Sequence, residues 1–257
     1  MRVYAIGDVH LPGGPRAKGM ERFDPVWTDH PRVIAERWND SARDDDVLLI
    51  VGDLSWAMTI EEARDDLAWI DGLRGTKVVV KGNHDFWWKS IGKVRAAFGE
   101  TVHALQYDHV VLGPVAFVGT RGWQCPGSIG SADLMADGGA EAGTTTYTDQ
   151  DRKLYEREVG RLKMAFERLE KSGEAYDRLV CLLHYPPMNP EHEPSGFTEL
   201  IDRFGVDVCV HGHLHGAASI ATAFEGRRGA TEYHCVSADA VRMEPRRLLE
   251  VGGDASG

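Results

Sequence analysis

Short apolar runs recur along this chain, and segments with a helical stripe separate them. Residues 2–6, 47–51, 77–81, 179–183 and 206–210 carry little alternation between apolar and polar positions, so each reads as a strand covered on both faces. After the first run, Pro31 opens a helix carrying Val33, Ile34 and Trp38, proline being tolerated in a first turn. Thr59-Ile60-Glu61-Glu62 fits a capping box, and Ala63, Leu67 and Ile70 continue at helical spacing. Strand 47–51, this helix and strand 77–81 form a βαβ unit, which implies parallel pairing. Further helices are predicted over 90–98, over 151–171 with the stripe Leu154, Val159, Leu162, Phe166 and Leu169, and over 197–204.

The remaining segments extend the picture to a second sheet. Residues 110–118 make two β-rich pieces broken by Gly113-Pro114, a hairpin pattern. Residues 217–223 and 231–236 are expected as strands joined by a turn at Gly226-Arg227-Arg228-Gly229. Residues 11–30, rich in glycine, proline and charge, predict an irregular excursion, and Asp44-Asp45-Asp46 a solvated turn. The Gly/Ser/Thr-rich stretch 126–148 is too long for an ordinary connection and reads as a lid or a flexible insertion. No Pro/Ser-rich linker divides the chain, so residues 1–250 are expected to form one domain followed by a frayed tail at 251–257.

Composition narrows the range of functions. The chain has 257 residues and a formal charge of -11, which argues against broad binding to nucleic acid or to an anionic membrane. A small anionic substrate at a local positive site remains compatible with that charge. Cys125, Cys181, Cys209 and Cys235 are far apart and form no C-x-x-C pair, so neither a zinc ribbon nor a redox motif is suggested. Met1 leads straight into the first strand, and no apolar run approaches membrane-spanning length, so the expected location is cytoplasmic.

The candidate chemistry lies where the strands end. Asp8 and His10 follow the first, Asp53 the second, Asn83 the third, His184 the fourth, and His213 with His215 the fifth. Ligands at the carboxyl ends of parallel strands share one edge of the sheet. If strand conformation persists, Asp8 and His10 point the same way around Val9, as do His213 and His215 around Leu214. Seven nitrogen and oxygen donors exceed the needs of one ion, so two metal ions with a shared carboxylate are implied. With no thiolate in the set, manganese, iron or zinc is favoured, as two divalent ions or as a mixed iron pair. Two divalent cations against the carboxylates of Asp8 and Asp53 would leave a positive site suited to phosphate.

Asp8-Val9-His10, Gly52-Asp53, Gly82-Asn83-His84-Asp85, His184 and Gly212-His213-Leu214-His215 resemble the ordered motif set of the calcineurin-like metallophosphoesterases. The resemblance implies a four-layer α/β/β/α sandwich with two central mixed β-sheets. It also implies one metal on Asp8, His10, Asp53 and His215, and a second on Asp53, Asn83, His184 and His213. Asp53 would bridge, and a water or hydroxide between the metals would attack phosphorus. His84 would stabilise the phosphoryl oxygens or protonate the leaving oxygen. In many members an acidic residue or histidine three positions after the bridging aspartate orients that histidine. Trp56 stands there in this chain, with Asp85 a candidate substitute.

Arg121 is a candidate contact for substrate phosphate or a structural ion pair. Trp87, Trp88 and Trp123 are expected in the core or at the mouth of the site, and His30, His103, His109, His192, His211 and His234 match no motif position. The expected activity is hydrolysis of a small-molecule phosphate ester. The alternatives are a phosphodiesterase or nuclease and, from another class, a non-catalytic metal-bound scaffold. A protein phosphatase would carry an extended acidic or hydrophobic docking signature, which the sequence lacks.

Overall fold

The computed structural model describes residues 1–14, 19–128 and 147–252. Two mixed sheets lie face to face, with helices on their outer sides. The first sheet is formed by β1 (Arg2–Ile6), β2 (Val47–Val51), β3 (Thr76–Val80), β4 (Val102–Leu105) and β11 (Arg246–Glu250), in the order β11-β1-β2-β3-β4. Only β11 runs antiparallel to its neighbour. The second sheet comprises β5 (Asp108–Leu112), β6 (Val115–Thr120), β7 (Arg178–Leu183), β8 (Val208–His211), β9 (Gly226–Arg228) and β10 (Thr231–Cys235), in the order β5-β6-β7-β8-β10-β9. Its central strands are parallel and its two outer pairings antiparallel.

Side-chain alternation along the strands builds three apolar layers. Val3, Ala5, Leu49, Val51, Val78 and Val80 of one sheet meet Val115, Phe117, Val180, Leu182, Val208 and Val210 of the other. These compact, mostly β-branched residues fill the narrow space between two sheets. The opposite face of the first sheet packs on α1 (His30–Ser41), α2 (Arg64–Asp71) and α3 (Ile91–Ala97) through Ile34, Trp38, Leu67, Ile70 and Val94. Against the second sheet lie α4 (Asp149–Ser172) and α5 (Gly196–Phe204), contributing Leu162, Phe166, Leu169, Phe197 and Ile201. The result is the α/β/β/α sandwich.

The differences from the sequence expectation have local causes. Residues 217–223 do not form a strand: after Gly216 (φ 73°) the chain makes the short helix α6 (Gly216–Ile220), and β10 takes the place beside β8 directly. Four of those seven residues are alanines (Ala217, Ala218, Ala221 and Ala223), which lack the branched side chains a strand face would pack. Strands β4 and β11 carry too little apolar pattern to stand out, because one is short and the other has an exposed face. Asp44 and Asp45 are solvated as expected, whereas Asp46 is buried. It accepts the backbone N–H groups of Arg2 and Arg43 and pairs with the Arg2 guanidinium.

Trp87 and Trp88 are core residues. The lid or insertion expected over 126–148 falls outside the described residues from 129 to 146, and the tail does so from 253. No helix among the described residues is long and apolar enough to cross a membrane.

Candidate metal centre

Five parallel strands deliver their carboxyl ends to one edge of the sandwich, where the loops that follow are stitched together by backbone bonds. Asp8 N–H donates to Gly52 O, His10 N–H to Asp53 O and Leu11 N–H to Leu54 O, each at 2.9 Å, so the β1 and β2 loops continue the ladder beyond their strands. Gly7 N–H donates to Val236 O, joining the edges of the two sheets, and Gly212 N–H donates to His184 O, extending the pairing of β7 and β8 within the second sheet. The loop residues are not extended: Asp8, His10, Asp53 and His213 all have positive φ, between 41° and 72°. The expected alternation around Val9 and Leu214 therefore does not operate. A left-handed turn at each position aims the side chain instead.

Glycines make this crowding possible. A Cβ on Gly82 would overlap the Asp53 carboxylate and backbone nitrogen, and one on Gly212 would overlap an Asp8 carboxylate oxygen. The glycines before Asn83 and His213 are a condition for the loops to approach.

The seven candidate ligands come together in two groups. In the first, His10 Nε2 and His215 Nε2 are 3.2 Å apart, and Asp8 Oδ1 is 3.4 Å from His215 Nε2. In the second, Asn83 Oδ1 lies 2.7 Å from His184 Nε2 and 3.0 Å from His213 Nδ1. Asp53 Oδ2 stands between the groups, 3.8 Å from His10 Nε2 and 3.5 Å from His184 Nε2. Donors around one ion at roughly 2.0–2.2 Å are themselves about 3–3.5 Å apart, so both groups fit a metal. Asp8, His10 and His215 form one compact set of ligand atoms, and Asp8, Asp53 and His184 another.

At Asp8 and His10 the electrostatics agree with a cation site, whereas at His215 a metal ion would have to displace a proton. Burial opposes ionisation of Asp8, but His215, His184 and His10 outweigh it and hold the carboxyl far below its usual range. Burial, reinforced by His215, pushes the His10 imidazole well down, toward the neutral form that binds metal. Burial also pulls His215 down, but Asp239 and Asp8 override it and push the imidazole up to about 10.

Ring orientation is set from behind. His184 Nδ1 lies 3.1 Å from Val51 O, so an N–H donated there leaves Nε2 facing Asn83 and Asp53. His215 Nδ1 is held in the same way by Asp239 Oδ1, while Asp239 Oδ2 accepts the N–H of Gly216. The sequence reading missed Asp239. It follows Ser237-Ala238 with no motif spacing, and only the fold brings it behind His215.

His84 is 7 % exposed and borders the cluster, its Nε2 4.0 Å from Asp53 Oδ2 and its backbone N–H donating to Asp53 Oδ1. Trp56 packs on it, with ring centroids 4.5 Å apart, and stacks on His10 at 4.8 Å with an 18° interplanar angle. The position that differs from the family pattern thus contributes an aromatic wall.

Asp85 is fully buried and accepts from the backbone of Gly82, Leu54 and Ser55 and from the Trp87 indole. It braces the loops that carry Asp53 and Asn83. Arg121 pairs with buried Glu158 at 3.9 Å and lies 4.6 Å over the Trp123 ring, which is the structural ion pair of the two alternatives. Trp27, from the irregular excursion, meets His215 edge-on at 5.5 Å, and His30 bonds Trp27 O and Val9 O, tying that excursion to the site.

The sandwich thus carries a carboxylate–imidazole–amide cluster on one edge, a donor set suited to divalent metal ions. A family model, calcineurin-like phosphoesterase, matches residues 1–217, and the chain belongs to that family. Gene 66 protein of Mycobacterium phage D29 is 34% identical over 83 residues, 32% of this chain and 40% of that protein, so the match spans less than half of the relative. Among solved structures, phosphopantetheinyl hydrolase (PptH) from Mycobacterium tuberculosis aligns with a TM-score of 0.55 at 16% identity, covering 100% of this chain and 98% of that one. TT1561 of Thermus thermophilus aligns with a TM-score of 0.51 at 15% identity, covering 90% and 87%. These likenesses are of fold.

Proposed function

We propose that the protein hydrolyses a phosphate ester of a small molecule at a pair of divalent metal ions, with manganese, iron or zinc the metals its donors suit. The observation that carries this reading is Asp53 Oδ2, which faces His10 of one ligand group and His184 of the other. Asp8, His10, Asp53 and His215 would hold one ion, and Asp53, Asn83, His184 and His213 the other. Bound there, such ions supply charge for the phosphoryl oxygens and lower the pKa of water. The chain's own residues do the rest. The left-handed loops fix the donors, and Val51 O and Asp239 fix two imidazoles. Trp56 and Trp27 cover one side with aromatic rings. His84, held by its backbone bond to Asp53, is the group placed to hydrogen-bond a phosphoryl oxygen or to give a proton to the departing alcohol. The net charge of -11 favours a small ester over a long nucleic acid.

The test is a paired assay of manganese-loaded protein on p-nitrophenyl phosphate and bis(p-nitrophenyl) phosphate, with Asn83→Ala as control. Turnover that Asn83→Ala abolishes is expected, and the ratio of the two rates separates monoester from diester preference. Silence on both, in protein carrying two ions per chain, would overturn the proposal and favour a scaffold.

A further inference from the structure

Beside the second ligand group lies a cavity of about 190 Å³ whose walls include Cys125, Tyr185, Pro186, Met188, Leu214 and His213. Among the described residues the lining has no Asp, Glu, Lys or Arg; Pro190 adds to the apolar wall, and Gln124, Ser128, Ser219 and Thr222 are its uncharged polar members. His213 is common to both spaces. Its Nδ1 faces Asn83 Oδ1, and its ring packs against Tyr185 with centroids 4.1 Å apart. Tyr185 in turn meets Trp123 at 5.1 Å, which closes the partition with aromatic surface. Burial pushes the Cys125 thiol up to about 12, so it remains an uncharged, apolar wall. The cationic side chains near the site gather elsewhere: Lys81, Lys89, Arg121, Arg157 and Arg161 surround Glu158 in a separate cavity.

We propose that this cavity receives the organic part of the substrate, and that this part is an uncharged alkyl or aryl group. The inference rests on the reading of the centre as a phosphoester hydrolase and deepens it by assigning a substrate class. A phosphoryl group held at Asn83 and His213 has the cavity as its immediate neighbour. Bulk water in such a chamber gains few hydrogen bonds, whereas an alkyl or aryl group loses its own apolar hydration there. An apolar cavity of ~150 Å³ admits benzene, so this one takes a phenyl ring or a short alkyl chain. Nucleotides and sugar phosphates, whose organic parts must keep many polar groups hydrogen-bonded, would face Pro186, Met188, Pro190 and Leu214, with Gln124, Ser128, Ser219 and Thr222 too few to pair them all.

The experiment measures binding of methyl-, ethyl-, propyl- and butylphosphonate to the manganese-loaded protein by calorimetry, since these compounds cannot be hydrolysed. Affinity is expected to rise by about fourfold for each added methylene. Ser219→Trp, which places an indole at the rim of the cavity from a half-buried position on the largely exposed helix α6, is expected to flatten that series relative to its own methyl member. A flat series in the unaltered protein, or an equal slope in both proteins, would overturn the assignment. A steep series lost in Ser219→Trp supports it even if no ester is hydrolysed, an outcome that would count against the hydrolase reading alone.

Discussion

Asp239 Oδ1 lies 3.1 Å from Nδ1 of His215, on the side of the imidazole away from Asp8 and His10. A carboxylate in that position fixes which ring nitrogen carries the proton and raises the basicity of the other. Asp239→Ala is therefore expected to weaken manganese binding by about 10–100-fold, measured by calorimetry on apo-protein. Asp239→Asn, which keeps an acceptor without the charge, should fall between the two. Equal affinity in all three proteins would show that His215 needs no such support.

His84 is the buried imidazole at the edge of the cluster that has no place in the proposed ligand sets, and its removal separates chemistry from metal binding. His84→Ala should retain two metal ions per chain by elemental analysis while kcat falls by about 10²–10⁴-fold. Loss of metal in parallel with rate would make His84 a ligand instead.

The close approach of the β2 and β3 loops makes Gly82 the most sensitive backbone position of the site. Gly82→Ala forces a methyl group against the Asp53 carboxylate and backbone. The expected outcome is loss of metal binding, with circular dichroism at room temperature retaining the α/β spectrum, because the strands themselves are untouched. Wild-type metal affinity in this variant would contradict the packing described.

Asp46 gives the fold an acid-sensitive fastening at the end of the sheet opposite the metals. Burial raises its carboxyl, but hydrogen bonds from Arg2 and Arg43 outweigh that and hold it at about 2. Since the folded-state value lies below the ordinary one, the stabilisation is complete above about pH 4 and is lost as pH falls through about 2. Asp46→Asn should lower Tm at pH 7 by about 3–10 °C, with the difference from wild type shrinking toward pH 2. A difference independent of pH would assign the effect to packing.

How much of this was legible in the sequence depended on whether a residue acts near its own strand. Asp8, Asp53, Asn83 and His213 stand just after an apolar run that ends in or near glycine, and His184 after one that ends before two prolines, so pattern alone located them. Parallel pairing and a second sheet followed from the same runs, and the four-layer sandwich from the resemblance that the motifs carry. Asp239 was invisible because its partner His215 is 24 residues away, with α6, β9 and β10 between them. Asp46 was misjudged because two solvated neighbours made a run of three acids look uniform, and only the pairing of β1 beside β2 buries one of them. The aromatic cover from Trp56 and Trp27 was hidden for a similar reason: stacking geometry has no sequence signature.

The left-handed backbone at Asp8, His10, Asp53 and His213 has a consequence for how this protein can be stabilised. Each such residue costs about 1–2 kcal/mol against an unstrained conformation. The usual remedy, replacing it by glycine, would delete a proposed ligand. Heat resistance and the capacity to hold metal therefore compete at the same four positions. Bound ions should act as a scaffold for them: chelator-treated protein is expected to melt earlier, and its first amides to exchange should be those of the turns after β1, β2 and β8.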